Sequence, residues 1–252
     1  MLSIKNLTFT AVDDGPAKEI LSDVSFTAED GKFIVITGPN GSGKSTLAKI
    51  IAGIKTQTDG EIFLDQDEIT NASITERAQK GIAFAFQQPV RFKGLTVTDL
   101  VSLAAGREIG KDELCEILTR VGLCALEYID RDVNDSLSGG EIKRIEIAMA
   151  MVRNAKLTIF DEPEAGIDLW SFNHLIEIFK DLRDNSNGSI IIISHQERIL
   201  DIADKIIVLS AGKIVAEGSK EEVLPTLIST NSQRNFCRAT LSDLEGAVKI
   251  NE

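Results

Sequence analysis

Residues 38–46 read Gly38-Pro39-Asn40-Gly41-Ser42-Gly43-Lys44-Ser45-Thr46. The run follows a short apolar stretch, Lys32 to Thr37. It leads into Lys44 to Ala52, a segment with helical spacing that stops at Gly53. The whole fits G-x-x-x-x-G-K-[ST] in the strand–turn–helix context which that pattern requires. Glycines at 41 and 43 let the backbone curl so that successive N–H groups point inward. The helix beginning near Lys44 adds the positive end of its dipole. A loop of this kind cradles nucleotide phosphates. Lys44 is expected to reach the β- and γ-phosphates as a point charge, and Ser45 to offer its hydroxyl to Mg²⁺. Thr46 is expected near the α-phosphate, and Gly38, Pro39, Asn40 and Ser42 complete the cradle.

A second apolar run, Leu157-Thr158-Ile159-Phe160, ends in Asp161-Glu162. In a parallel sheet, ligands collect beyond the carboxyl ends of the strands. Two carboxylates there suit a bound Mg²⁺ and an attacking water. Asp161 is assigned to the metal shell and Glu162 to polarising the water. A third segment, Leu137-Ser138-Gly139-Gly140-Glu141, precedes the amphipathic stretch Ile142 to Val152. Ser138 with Glu141 three residues on is a capping box, which accounts for a helix start and nothing more. Two consecutive glycines cost helix stability, however. Their use suggests that a phosphate approaches Ser138 and the bare amides of Gly139 and Gly140.

Around these segments the chain alternates. Residues 2–10 and 20–28 read as strands joined by the polar turn Asp13-Asp14-Gly15-Pro16. Residues 61–64, 82–86, 189–193 and 205–209 read as further strands, the last two continuously apolar. Segments 97–105, 112–122, 139–153, 170–185 and 196–203 read as helices. Short apolar strands between helices imply a parallel sheet covered on both faces. The expected organisation is an α/β core with an N-terminal β subdomain (1–88 and 154–222), an inserted helical lobe (89–153) and a C-terminal tail (223–252).

Composition narrows the function classes. The 252 residues carry 27 Lys and Arg against 39 Asp and Glu, a formal net charge of −12. Such acidity argues against a general affinity for nucleic acid or anionic membranes, which needs clustered cations. No apolar stretch is long enough to span a bilayer, and the N-terminus has no basic region followed by an apolar run. Cys115, Cys124 and Cys237 are scattered, with no C-x-x-C pair. A reduced, cytoplasmic protein is expected, with the first two thiols used in packing.

The three segments, in this order, resemble the ATP-binding cassette (ABC) ATPases, over about residues 2–222. The resemblance implies a P-loop NTPase fold with a RecA-like sheet and an inserted helical subdomain that carries LSGGE. It implies further site residues. Gln87, in Phe84-Ala85-Phe86-Gln87-Gln88-Pro89, matches the Q-loop glutamine that touches Mg²⁺ or water. Ala165-Gly166-Ile167-Asp168 matches the D-loop, which crosses a dimer interface, and His195 matches the switch histidine on the γ-phosphate. Glu162, His195 and Gln87 are thus the expected catalytic set. ATP and Mg²⁺ are the expected ligands. A head-to-tail dimer is implied, with ATP on one glycine loop closed over by Ser138, Gly139 and Gly140 of the other copy.

Within the family, several stretches look like the SufC branch, soluble ATPases that drive SufB/SufD-type scaffolds in iron–sulfur cluster assembly. They are Gln87 to Gly94, Ser138 to Arg144, and Ser194 to Leu200. That branch also suggests a resting ion pair between Lys143 and Glu162. Ala11 and Val12 stand where many relatives stack an aromatic on adenine. The gap predicts weaker nucleotide affinity, since a base–aromatic stack contributes about 1–3 kcal/mol in nucleic-acid sites. Pro163, by contrast, is common in transporter ATPases, so a membrane permease is the alternative partner. A pure nucleotide-gated clamp is disfavoured by Glu162, which a clamp does not need.

Overall fold

A computed structural model describes residues 1–12, 16–88, 92, 94–133, 137–167, 169–185 and 188–225. Its elements, in chain order, are β1 (Leu2–Ala11), β2 (Lys18–Ala28), β3 (Phe33–Thr37), α1 (Lys44–Ile51), β4 (Asp59–Leu64) and β5 (Asp67–Glu68). Then come α2 (Ile74–Gln79), β6 (Ile82–Ala85), α3 (Val97–Ala105), α4 (Lys111–Arg120), α5 (Ala125–Tyr128) and α6 (Gly139–Arg153). The last six are β7 (Leu157–Asp161), α7 (Leu169–Asn185), β8 (Ser189–Ile193), α8 (Glu197–Leu200), β9 (Lys205–Ser210) and β10 (Lys213–Gly218).

Two sheets form. Strands β2-β1-β4-β5 make an antiparallel sheet, with Ile4 opposite Phe26 on one side and Ile62 on the other. The β1–β2 ladder shifts register near Asn6 and Asp23, both in left-handed backbone conformation and joined by a 2.6 Å hydrogen bond. The second sheet runs β10-β9-β3-β8-β7-β6, parallel from β9 to β6. Its central strands are continuously apolar because both faces are covered. The pleat still sorts the residues. Ile34, Ile36, Ile159, Ile191 and Ile193 face α1 and the antiparallel sheet. Phe33, Val35, Phe160, Ile190 and Ile192 face α7 and share one apolar core with α3, α4 and α6. Phe179 of α7 meets Phe160 and Phe33 edge-on, at 5.2 and 6.3 Å between ring centres.

Most expected elements appear, several within a residue. The expected helix 196–203 is only Glu197–Leu200, because the chain turns at once into β9, where the Asp204 amide donates to Phe33 O. Four elements escaped the sequence reading, two of them the short β5 and α5. β10 is an edge strand paired only to β9. α2 has a full Ser73–Glu76 capping box but no apolar stripe, and its one buried residue is Arg77.

Arg77 explains why α2 is there. Its side chain is 2% exposed, and the guanidinium donates to four carbonyls: Ile50 (2.6 Å), Ile51 (2.9 Å), Thr70 (2.9 Å) and Ala72 (3.0 Å). Two of these belong to the last turn of α1, where helix carbonyls lack internal partners and the dipole is negative. The helix that opens with the glycine loop is thereby fixed at its far end. Arg77→Met keeps the volume and removes the donors, stranding buried carbonyls. It should lower unfolding stability by about 2–3 kcal/mol, read as a fall in urea midpoint with an unchanged slope.

Candidate active site

The glycine loop spans the turn from β3 into α1, on the carboxyl side of the sheet. Gly43 is the N-cap of α1 and has φ 101°, with no side-chain cap. The first amides of the helix are therefore left for an outside acceptor. Two positions admit glycine alone. Gly38 has φ 141°, and a Cβ there would lie 1.9 Å from Leu209 O. A Cβ on Gly43 would lie 2.7 Å from Leu21 Cδ2. Pro39, Asn40 and Gly41 form the exposed tip, Ser42 is buried, and Thr46 is half-buried on the first turn of α1.

Charge is packed tightly behind this loop. Lys44 is buried, and its ammonium donates to Gly38 O (2.8 Å) and Pro39 O (3.0 Å). Burial lowers its pKa, against the pull of Glu162 and Asp161. Ser45 Oγ donates to Asp161 Oδ1 at 2.7 Å. Asp161 closes β7 and is 1% exposed. Burial raises its pKa, opposed by the Ser45 hydroxyl, Lys49 and Lys44. Its Oδ2, like Ser42 Oγ, is buried without a hydrogen-bond partner among the described residues. A buried carboxylate oxygen with no donor, beside a serine hydroxyl, is a hard-oxygen pair of the kind that Mg²⁺ takes.

Glu162 follows in left-handed conformation (φ 47°), its amide donating to Ile193 O at 3.0 Å. Gln87 Nε2 donates to Glu162 Oε2 at 2.7 Å, so the glutamine and the acid meet across the sheet edge. Lys18, Ile20, Asn40, Thr46, Gln87 and Glu162 are among the residues that line a cleft of about 510 Å³ over the loop. Val12, in the stretch without an aromatic, is 75% exposed; Lys18 and Ile20 are the neighbouring side chains that reach the cleft. His195 is exposed just past β8. Asp168 lies outside the described residues.

Ser138 caps α6 and accepts from the Glu141 amide at 3.2 Å, while Glu141 Oε2 accepts from the Ser138 amide at 2.6 Å. The Tyr128 hydroxyl also donates to Glu141. Among the described residues, a Cβ on Gly139 or Gly140 would meet nothing within 4 Å, and neither has positive φ. Neither packing nor backbone geometry among the described residues calls for these two glycines. Among the described residues that line the loop cleft, none comes from 138–140. The two glycine turns are thus not brought together in one chain.

Two sequence expectations are corrected. Lys143 makes no ion pair with the Glu162 carboxylate. Its ammonium donates instead to the carbonyls of Glu162 (3.2 Å), Pro163 (3.0 Å) and Ala165 (2.6 Å), because the reversed backbone after β7 turns them inward. Cys124 is exposed at the N-cap of α5 rather than packed, whereas Cys115 packs against the helical core. Cys237 lies outside the described residues. Sequence reasoning missed two side chains near the site, Glu164 and Ser194, which are both buried and hydrogen-bonded to each other at 2.5 Å. An acidic residue inside a turn that also holds Pro163 and Gly166 was the available signal. Beside the Gln87 segment lies a second, apolar cleft lined by Phe84, Phe86, Phe92, Ile142, Ile145 and Met149, among others. No helix among the described residues is long and apolar enough to cross a membrane.

The profile of the family described as ABC transporter matches residues 21–165. An uncharacterized ABC transporter ATP-binding protein, MJ0035 of Methanocaldococcus jannaschii, is 38% identical over 214 residues, 82% of this chain and 85% of that protein. The probable ATP-dependent transporter ycf16 of Cyanophora paradoxa is 35% identical over 236 residues, 88% of this chain and 89% of its own. The lipopolysaccharide export system ATP-binding protein LptB of Haemophilus influenzae is 33% identical over 216 residues, 82% and 88% of the two chains. Among solved structures, the dimeric post-hydrolysis state of the cassette MJ0796 bound to ADP and Pi superposes with a TM-score of 0.77 at 25% identity. That match covers 87% of this chain and 99% of the other. A loop shaped for phosphates, an acidic strand tip beside it and an LSGGE helix start thus coincide with likeness along most of the sequence: the chain belongs to the ABC transporter family, as one of its ATP-hydrolysing cassettes.

Proposed function

We propose that this chain hydrolyses Mg-ATP at a head-to-tail interface between two copies, and that the cycle drives a soluble SufB/SufD-type scaffold for iron–sulfur cluster assembly. One observation carries the interface: Gly139 and Gly140 open outward at a helix start that is absent from the cleft of its own chain. The likeness to the dimeric MJ0796 cassette supports it. ATP lies along the glycine loop, its phosphates taken by the first amides of α1 and by Lys44. For that, Lys44 exchanges the carbonyls of Gly38 and Pro39 for phosphate oxygens. Ser45, Asp161 and Gln87 would hold Mg²⁺, which neutralises phosphate charge when bound.

Glu162 orients the attacking water and takes its proton as the oxygen bonds to the γ-phosphorus. The bond to the bridging oxygen breaks, leaving ADP and phosphate. Gln87 must first release the Glu162 carboxylate that it holds at rest. His195 faces the γ-phosphate. Ser138, Gly139 and Gly140 of that copy close the site with a capping hydroxyl and bare amides. The γ-phosphate contacts both copies, so it favours the closed pair, and its loss reopens it.

The scaffold assignment rests on the three SufC-like stretches, at 87–94, 138–144 and 194–200. The apolar cleft beside Gln87 gives the partner a landing surface that adjoins the catalytic residues. A second reading is favoured by Pro163 and by likeness to LptB: a membrane permease docks at the same cleft.

Glu162→Gln should slow hydrolysis at least about a hundredfold, the usual scale for losing general-base help. It should also trap an ATP-bound dimer, so sizing with and without Mg-ATP that gives a monomer in both would count against the shared interface. Purified from native extract, the chain should bring down a partner with no spanning segment from the soluble fraction. Recovery only with an integral membrane protein would instead establish the permease reading.

A further inference from the structure

The mechanism leaves one buried acid unused. Glu164 is 7% exposed and sits in the turn that follows the catalytic strand tip, where the Ala165 amide donates to Glu162 O and the Ile167 amide to Glu164 O. Its Oε1 accepts from Ser194 Oγ at 2.5 Å, and its Oε2 is buried without a partner among the described residues. Ser194 is fully buried. Its amide donates to Ile36 O at 3.2 Å, which anchors it to the end of β3. Its hydroxyl also accepts from the Gln196 amide at 3.0 Å.

That last bond closes a small turn with His195 at its crest. A hydroxyl has one proton. The Ser194 oxygen can offer a lone pair to the Gln196 amide in a fixed direction only if its proton is committed elsewhere. Glu164 takes that proton. A single hydroxyl therefore ties the turn carrying His195 to the turn descending from Glu162, and the carboxylate decides how it points.

We infer that Glu164 is a positioning residue for hydrolysis: through the Ser194 hydroxyl it sets the His195 turn against the strand tip that carries Glu162. The inference rests on the reading above, in which His195 and Glu162 act on the γ-phosphate. Glu164 is not among the residues that line the cleft over the glycine loop. Burial raises the pKa of its carboxyl, while the Ser194 hydroxyl, its own backbone amide and His195 pull it back. A carboxylate kept in so dry a place, at a position where an apolar side chain would cost less, fits a group retained for its acceptor oxygen.

The experiment is steady-state ATP hydrolysis by the full chain in Ser194→Ala, Glu164→Ala, Glu164→Gln, the Ser194→Ala/Glu164→Ala double variant and His195→Ala. Thermal unfolding is measured on each. Ser194→Ala and Glu164→Ala should each lower kcat about tenfold, the scale of one lost orienting hydrogen bond. KM for ATP should stay within about twofold, because binding is left to the glycine loop. The double variant should be no slower than the slower single one, since both remove the same bond. Glu164→Gln keeps an acceptor oxygen and should remain within about threefold of wild type. Wild-type kcat in Ser194→Ala would overturn the inference, as would losses that multiply in the double variant. If Glu164→Ala does not fold, Ser194→Ala and Glu164→Gln still decide. A dead His195→Ala beside an unaffected Ser194→Ala sinks this inference alone, whereas an active His195→Ala sinks the catalytic reading beneath it.

Discussion

Burial of the Asp161 carboxylate at the tip of β7 is the constraint around which the site is arranged. One oxygen is held by Ser45, on the first turn of α1; the other has no donor. A charge this dry is tolerated only beside cations and aligned dipoles. Lys49, Lys44 and the uncapped start of α1 supply them. The demand runs outward through the fold. β7 must lie in register with β8, Asp161 opposite Ile193, for the tip to reach α1. β3 must end close by, so the glycine loop must turn where Leu209 O leaves no room for a Cβ on Gly38. The far end of α1 must not drift, and Arg77 holds it.

The central sheet was legible because burial on both faces leaves continuous apolar runs, and runs such as Ser189–Ile193 admit few other readings. The glycine loop and the acidic tip were legible because phosphate chemistry permits few residue types at few spacings. Arg77 was not, since a buried guanidinium leaves no periodic trace and its four carbonyl partners come from two separate segments, the end of α1 and the connection before α2. The Lys143 contact was misjudged for a related reason. Sequence suggests which charges attract, but the left-handed backbone at Glu162 turned three carbonyls toward the ammonium, and a spacing argument does not foresee a reversed peptide. Gln87 took the carboxylate instead.

The two glycine turns also separate two reasons for using the same residue. Gly38 and Gly43 are fixed by their own chain, through positive φ and contact with Leu209 and Leu21. Gly139 and Gly140 are helical, unstrained and open to the outside. Glycine without an internal cause points to something beyond the chain.

Helix α6 is a rigid strut about 22 Å long. Its first residues face outward, and Lys143, one turn in, grips the peptide bonds on which Glu162 is mounted. A load applied at the exposed end of that strut would reach the backbone that carries Glu162 of the same polypeptide. In a closed pair each molecule would feel its neighbour through its own framework, and the two centres would be mechanically in series.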